Sequence, residues 1–182
     1  MAADVATRAA ELTAHADAEA RMSGALVELE HHQWHVALAA GTASHGEAER
    51  AGRRAQELIV DADPPPPDPR PGLRARLAAL PRIAGWPARR AALEDLRVAV
   101  ADATAELRSA VSGAVGLVER RSELRGRFDA YRATAARLGV GEWPDVLAAG
   151  DRVHDLLWTR PCDLAAATVA VVDYQRSIRD GG

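Results

Sequence analysis

The most regular pattern of apolar positions in the chain runs from about residue 87 to residue 138. Apolar side chains recur there at alternating intervals of three and four residues, and one polar position interrupts them. The members are Leu93, Leu96, Val100, Ala103, Leu107, Ala110, Ala114, Leu117, Arg121, Leu124, Phe128, Tyr131, Ala135 and Leu138. This spacing places all of them on one face of an α-helix. Pro87 suits its first turn and Gly139 its C-terminal cap, so we predict one helix over 87–138 whose seam packs against another helix.

The first segment, residues 3–60, contains no proline and predicts a second long helix. Its 3-4 spacing predicts a seam through Met22, Leu26, Leu29, Gln33, Val36, Ala40 and Ala43, with Val5 and Leu12 in register upstream. A glycine inside a helix costs up to about 1 kcal/mol relative to alanine. Because two of the segment's four glycines bound the stretch 41–46, we expect a kink or break there.

Prolines divide the rest of the chain into shorter elements. Six of the ten prolines lie within residues 64–71, which predicts an extended connector over 61–72. A short helix is expected over 73–80, and two C-terminal helices over 143–158 and 164–179, the last one capped by Asp163. We therefore predict a single all-α assembly, a long antiparallel coiled-coil helical hairpin with the two shorter C-terminal helices packed at one end.

The charge of the chain is unevenly distributed. Residues 1–63 hold 11 acids and 5 arginines, a net of −6, whereas residues 64–142 hold 9 acids and 14 arginines, a net of +5. This asymmetry favours an acidic helix lying against a basic one. The whole chain carries −3, which gives no general attraction for nucleic acid, and its single cysteine excludes a disulfide framework. With no apolar stretch typical of a signal peptide or a membrane span, we expect a cytoplasmic protein without a nucleic-acid or membrane partner.

One candidate metal site lies in the first helix. Glu28, His31 and His35 fall at i, i+3 and i+7 on one face, and two histidines four residues apart can chelate a divalent cation. These histidines point away from the predicted seam, so a solvated face with incidental histidines is the simpler interpretation. A third interpretation of these histidines is a pH-sensitive or partner-contacting patch. A helical-bundle metal-binding protein is thus the alternative function.

Two candidate partner-binding features are also present. Trp34 and Leu38 lie one turn apart on the outward side of the first helix, which indicates either an oligomer or partner interface or a surface covered by the C-terminal helices. Pro64 and Pro67, flanked by Arg70, resemble a ligand for an aromatic-lined groove. The simpler interpretation of the proline run is a spacer between two helices, and this is the one we favour.

Nothing in the sequence has the pattern of a catalytic site. Cys162 precedes a helix and His154 lies eight residues earlier, but no orienting group or oxyanion site accompanies them. No phosphate-binding loop, zincin motif or nucleophile elbow is found. We therefore expect no enzyme, no cofactor and no small-molecule substrate. The polar seam residue Arg121 is expected to pair with an acid of the first helix and fix its register.

The segments Leu124–Leu138 and Leu156–Leu164 resemble the C-terminal part of uncharacterised all-helical proteins of high-GC Gram-positive bacteria. Those proteins are associated with gene clusters of a protein kinase G-type signalling kinase, and the resemblance covers residues 120–178. It implies an accessory or scaffold role and brings no catalytic residues. The leading hypothesis is a non-enzymatic scaffold or adaptor that acts through helical coiled-coil surfaces on a protein partner, self-association included.

Overall fold

The computed structural model of the chain is all-α, as the sequence predicts. It describes the backbone of residues 2–180 and the side chains of these residues other than 2, 3, 5, 19, 23, 26, 27, 30, 31 and 35–43. Its helices are α1 (Ala2–Leu58), α2 (Arg70–Ala79), a 3-10 turn (Leu80–Arg82), α3 (Trp86–Leu138), α4 (Pro144–Trp158) and α5 (Leu164–Asp180). No β-strand occurs within residues 2–180, where one isolated bridge joins Ile59 to Cys162.

Helix α3 ends in the expected glycine cap. Gly139 has a φ of +75°, a left-handed conformation that glycine adopts without steric cost. Its N–H donates to the carbonyl oxygen of Ala136 at 3.2 Å, and the N–H of Val140 donates to that of Ala135 at 3.1 Å. These two bonds satisfy carbonyls that a helix end otherwise leaves unpaired.

The other helix bounds depart from the sequence-based expectation in two places. Helix α1 continues without a break through residues 41–46. Helix α2 begins at Arg70, three residues before the expected position, because Oδ1 of Asp68 accepts the backbone N–H of Arg70 at 3.0 Å. A carboxylate oxygen at this point satisfies a donor that the first turn leaves free.

The described chain divides into two compact units. The first contains the residues up to Ser44 together with Asp68–Thr104. Its core joins α2 and the 3-10 turn to the first part of α3, through Leu73, Leu77, Leu80, Leu93 and Leu96. That both units form one helical assembly stays a prediction.

The second unit contains His45–Pro67 and the residues from Ala105 onward. Helices α4 and α5 pack on each other, and their buried side chains share one core with α3 and with Leu58 and Ile59. Asp163 caps α5 as expected, since its Oδ1 accepts the N–H of Ala166 at 2.8 Å. Along α3, every predicted seam position except Leu138 is buried or half-buried.

The predicted seam of α1 is wrong at its described positions. Leu12, Met22, Leu29 and Gln33 are all exposed. The buried positions further along the helix are Ala48, Gly52, Ala55 and Leu58. Alanine and glycine contribute little contrast to a hydropathy pattern, whereas the larger apolar residues of the exposed face contribute most of it. The pattern therefore indicated the wrong face.

The antiparallel pairing of α1 and α3 is not confirmed. In the second unit, Ala48 and Ala55 line the same groove as residues 109–117 of α3. Further along α1, the carbonyl oxygen of Leu58 accepts the N–H of Cys162, in the segment whose Thr159 carbonyl accepts a hydrogen bond from Arg121. Residue numbers on α1 and α3 thus rise together within this unit, so the helices run in the same direction there.

The proline connector explains how neighbouring helices come to run in the same direction. Pro65 packs on Gly52, where an added Cβ would lie 3.0 Å from the Cβ of Pro65, so the connector turns back along α1. An extended proline segment rises about 3.1 Å per residue, about twice the rise of an α-helix, so a few residues suffice to return along several turns of α1. A long returning connection allows two helices to be parallel neighbours, as in bundles with crossover loops.

Candidate functional site

The clearest candidate for a docking surface is an exposed apolar stripe on α1, made of Leu12, Met22 and Leu29. Their side chains are 73%, 63% and 56% exposed. All three follow one 3-4 repeat, so they share a face of the helix. At 100° per residue, Trp34 lies roughly 120° and 140° around the helix from Met22 and Leu29, and about 40° from Leu12. Met22 and Leu29 therefore face away from the core of the first unit, against which Trp34 packs.

The α1 stripe lies on an acidic stretch of helix. Residues 4–33 hold six acids and two arginines, a net of −4. The positions that flank the stripe, equivalent to e and g of a heptad, include Asp4, Glu11 and Glu30 and no arginine. The described side chains from Asp4 to Gln33 are exposed, apart from the half-buried Ala18 and Gly24. A solvated helix is marginal without tertiary packing, so a partner helix would stabilise this part of α1.

The structure places the predicted pair Trp34 and Leu38 only in part. Trp34 is half-buried against the core of the first unit, which α2, the 3-10 turn and α3 provide. The C-terminal helices, which the sequence offers as its cover, have no residue in that cluster of described side chains. The side chain of Leu38 lies outside the described residues, so a partner surface made by the pair stays a prediction.

The predicted metal ligands also fall largely outside the described side chains. Glu28 is exposed, whereas the side chains of His31 and His35 are not described. Among the side chains that are described, no group of three or more His, Cys, Asp or Glu residues is placed to hold a metal ion. The metal-binding alternative stays a prediction, which elemental analysis of untagged protein would test.

The proline run has a packing role within the second unit. Pro65 and Pro66 are half-buried, with Pro65 against Gly52, whereas Pro64 and Pro67 are exposed. In a helix with three residues per turn, positions three apart share a face, so Pro64 and Pro67 share the exposed one. The contact with Gly52 supports the spacer interpretation, and docking through Pro64 and Pro67 stays a prediction.

The third member of that predicted motif, Arg70, belongs to the first unit. Its Nε donates to Oδ1 of Asp68 at 2.7 Å, and both side chains are largely covered. The same carboxylate oxygen accepts the backbone N–H of Arg70, so the pair holds the first turn of α2.

The prediction that Arg121 pairs with an acid of the first helix is wrong. Arg121 is 4% exposed, and its Nη2 donates to the carbonyl oxygens of Leu157 at 2.7 Å and Thr159 at 3.2 Å. Arg125 donates to the Leu157 carbonyl through both Nε and Nη2, at 3.2 and 2.7 Å. Helix α4 has no basic residue in its last turn, so these arginines supply the positive charge that a helix C-terminus favours.

Arg125 also belongs to an aromatic stack on the surface of the second unit. Its guanidinium lies 4.5 Å from the centroid of the Trp158 ring, whose indole stacks on the imidazole of His154 at 4.7 Å. Burial, followed by the charges of Arg121 and Arg160, lowers the pKa of Arg125 from its usual value. The arginine remains charged at neutral pH, because guanidinium groups start from a very high pKa.

Cys162 has a structural environment. Its side chain is fully buried, and its backbone N–H donates to Leu58 at 2.8 Å while its carbonyl accepts from Val60 at 3.1 Å. No described hydrogen bond joins Cys162 to His154, whose ring stacks on Trp158 instead. The structure therefore does not bring the cysteine and the histidine together as a nucleophile and base.

No protein-family model matches this chain, and no curated protein or solved structure matches it either. The resemblance of residues 120–178 to helical proteins of signalling gene clusters accordingly stays a prediction. Of the helices within residues 2–180, none combines the length and the apolar character that crossing a bilayer requires.

Proposed function

We propose that this protein is a non-enzymatic interaction protein, an adaptor that presents α1 to a helix of a protein partner. The observation that carries the proposal is the α1 stripe, in which Leu12, Met22 and Leu29 are each more than half exposed on one face. Large apolar side chains aligned along an otherwise polar helix are typical of a surface that another helix covers.

The charge beside the α1 stripe selects the partner. Acids and neutral residues occupy the flanking positions, so a partner helix with lysine or arginine at the facing positions gains attraction along the seam. A second copy of α1 would bring acids against acids, which disfavours self-association through this surface. We therefore assign the surface to a basic amphipathic helix of another protein.

A role in a bacterial signalling complex is part of the same proposal. It rests on the resemblance of the C-terminal segments, and an adaptor without catalytic residues is consistent with it. The absence of an evident catalytic motif in the sequence supports the non-enzymatic class.

Binding of two synthetic helical peptides tests the proposal. Both have leucine at heptad positions a and d, and one carries lysine and the other glutamate at e and g. We expect the basic peptide to bind the full chain at least about tenfold more tightly than the acidic one, a difference of about 1.4 kcal/mol. Isothermal titration calorimetry measures both affinities, and a higher or equal affinity of the acidic peptide contradicts the assignment.

A triple variant, L12Q/M22Q/L29Q, locates the binding surface. Glutamine keeps helix propensity high, so we expect unchanged helicity and at least about tenfold weaker binding of the basic peptide. The matched control A10Q/A14Q/A20Q changes three exposed positions on the opposite face and should bind as the wild type does. Unchanged binding of the basic peptide by L12Q/M22Q/L29Q would overturn the proposed partner. So would light scattering that shows a dimeric wild type and a monomeric L12Q/M22Q/L29Q variant, because the surface would then bind a second copy of the chain.

A further inference from the structure

A strongly basic region covers α2, the 3-10 turn after it and the first two turns of α3, all within the first unit. Residues 69–93 form the longest stretch of the chain without an acidic side chain. Its six arginines are Arg70, Arg74, Arg76, Arg82, Arg89 and Arg90. The acids that bound the stretch have arginine partners, because Asp68 pairs with Arg70 and Glu94 lies 4.0 Å from Arg97. The whole-chain charge of −3 therefore conceals a local charge of +6.

The corner between α2 and α3 is held by its own contacts. Its inward-facing side chains form one apolar cluster of Leu73, Leu77, Leu80, Leu93 and Leu96. The guanidinium of Arg89 closes the turn, since its Nη2 donates to the carbonyl oxygen of Ile83 at 3.0 Å. Gly85 supplies the φ of +81° with which the chain enters α3. These contacts use the leucines and Arg89, and they leave the other arginines free to face solvent.

The exposed side of this corner has a narrow composition. Between Pro71 and Ala91, every exposed residue is an arginine, an alanine, a glycine, a proline or a tryptophan. The exposed arginines are Arg74, Arg76, Arg82 and Arg90, and none of them forms an ion pair within the described part of the chain. These four arginines and the exposed apolar residues between them are the arginine surface. It offers a partner only cationic and apolar groups.

Helix α2 is apolar on its outer side as well as its inner one. At 100° per residue, Ala75 lies about 160° around the helix from the buried Leu77, so it marks the outer side. Arg74 and Arg76 lie about 100° to either side of Ala75. A long arginine on the flank of a helix can extend its guanidinium past an apolar strip. This arrangement is typical of helices that lie in the interface of a membrane.

The turn contributes an aromatic ring to the arginine surface. Trp86 is the first residue of α3 and is 36% exposed, beside the exposed Pro87 and Ala88. Tryptophan is enriched where a bilayer meets water, because its ring is apolar and its N–H is polar. A nucleic-acid surface draws on serine, threonine, asparagine and glutamine for phosphate contacts and on several rings for stacking. Residues 71–91 contain none of those four residue types and one aromatic ring, so a membrane fits better.

We propose that the arginine surface docks on a bilayer that contains anionic phospholipids. Its guanidinium groups bind the headgroup phosphates, and the ring of Trp86 enters the interface between them. The expectation of no membrane partner rests on the charge and hydropathy of the whole chain, and this proposal replaces it for one surface. The α1 stripe has no part in the docking, so the failure of either proposal leaves the other standing.

Co-sedimentation of the full chain with lipid vesicles tests the proposal. We expect vesicles of equal parts phosphatidylcholine and phosphatidylglycerol to bind at least about tenfold more strongly than phosphatidylcholine alone, and added salt to weaken the binding. No binding to the anionic vesicles, or equal binding to both, overturns the proposal. Displacement from the anionic vesicles by a short DNA duplex or an RNA hairpin at the same phosphate concentration also overturns it, because nucleic acid would then be the preferred partner.

Removal of the four exposed arginines locates the docking surface. In R74Q/R76Q/R82Q/R90Q, glutamine keeps helix propensity high, so we expect the circular dichroism of the wild type. Binding to the anionic vesicles should weaken by at least about tenfold, because four cations that face the headgroups are lost. Wild-type affinity of this variant for the anionic vesicles overturns the proposal.

A matched variant controls for the total charge of the chain. R53Q/R54Q/R127Q/R176Q removes four exposed arginines of the second unit, each of which pairs with an acid on its own helix. It has the same net charge as R74Q/R76Q/R82Q/R90Q and should bind the anionic vesicles as the wild type does. An equal loss of binding in the two variants contradicts a specific surface.

Trp86→Gln separates insertion at the interface from electrostatic attraction alone. We expect at least about threefold weaker binding to the anionic vesicles, because the apolar ring no longer enters the interface. Trp143→Gln, at a 48% exposed position of the second unit, is the control and should bind normally. Unchanged affinity of Trp86→Gln contradicts the docking of this surface on a bilayer.

Discussion

The guanidinium of Arg121 donates a hydrogen bond of 2.7 Å to the carbonyl oxygen of Leu157, thirty-six residues further along the chain. The arginine is buried and has no described carboxylate partner, so the carbonyl groups at the end of α4 balance its charge. Its Nε is buried without a hydrogen-bond partner among the described residues. The chain thus uses an arginine, in the middle of an apolar seam, to hold the end of another helix.

We expect Arg121→Met to lower the free energy of unfolding by about 1–3 kcal/mol, because the carbonyl of Thr159 loses its donor and that of Leu157 loses one of its three hydrogen bonds. Urea unfolding followed by circular dichroism measures the change. Arg120→Met is the matched control, since Arg120 is partly exposed and pairs with Glu123 on the surface; it should cost less than about 0.5 kcal/mol. Equal stability of Arg121→Met and the wild type would mean that burying the charge costs as much as its bonds contribute.

Gly52→Ala should destabilise the second unit. The added Cβ would lie 3.0 to 3.2 Å from the Cβ, Cα and Cδ atoms of Pro65, so the proline run has to shift. Overpacking of this kind costs about 1–3 kcal/mol. Gly116→Ala, at an exposed helical position with nothing within 4 Å, should instead stabilise by up to about 1 kcal/mol. Thermal unfolding of the two variants should therefore move the midpoint in opposite directions, and a shift in the same direction contradicts the packing of the connector.

Asp163→Ala should cost about 1 kcal/mol, because the first turn of α5 loses the carboxylate that accepts the N–H of Ala166. Asp173→Ala provides the comparison within the same helix. Asp173 forms an exposed pair with Arg176, so its loss should change the stability by less than about 0.5 kcal/mol. Chemical denaturation ranks the two variants, and an equal effect would argue against the cap.

The stability of the protein should fall in alkali partly through Tyr174. Its pKa is raised in the folded protein, mainly by burial, so the unfolded chain releases the phenolic proton first. The contribution is fully present below about pH 10, the ordinary value for tyrosine, and is lost as the pH rises through the folded pKa. Tyr174→Phe should therefore lose less stability than the wild type as the pH rises above about 10. Parallel slopes for the two proteins over this range would contradict the burial effect.

The sequence predicts α3 far better than α1, and the reason is physical. Along α3 the buried face carries leucine, phenylalanine and tyrosine, which give a strong 3-4 pattern, and only Leu138 of that pattern is exposed. Along α1 the large apolar residues Met22 and Leu29 lie on the exposed side, while the buried side contains Ala48 and Ala55. Hydropathy distinguishes faces only where the buried one is the more apolar.

The relative direction of α1 and α3, the partners of Arg121 and a cleft in the second unit could not be predicted from the residue patterns of single segments. The proline run is recognisable as a connector, but only its contact with Gly52 shows that it turns back along α1. The acid expected beside Arg121 is replaced by backbone carbonyls, which no residue pattern encodes. The cleft joins Phe128, Asp151 and Tyr174 from three helices, and their spacing in the sequence carries no signal of this proximity.

The bridge between Ile59 and Cys162 has a consequence for the order in which the molecule is completed. Two backbone hydrogen bonds tie the end of α1 to a segment synthesised about a hundred residues later. During translation, the N–H of Val60 and the carbonyl of Leu58 thus cannot form these hydrogen bonds until α3, α4 and Cys162 have emerged from the ribosome. Contacts of such long sequence separation are slow to form, so the second unit acquires its native core only after Cys162 has been synthesised.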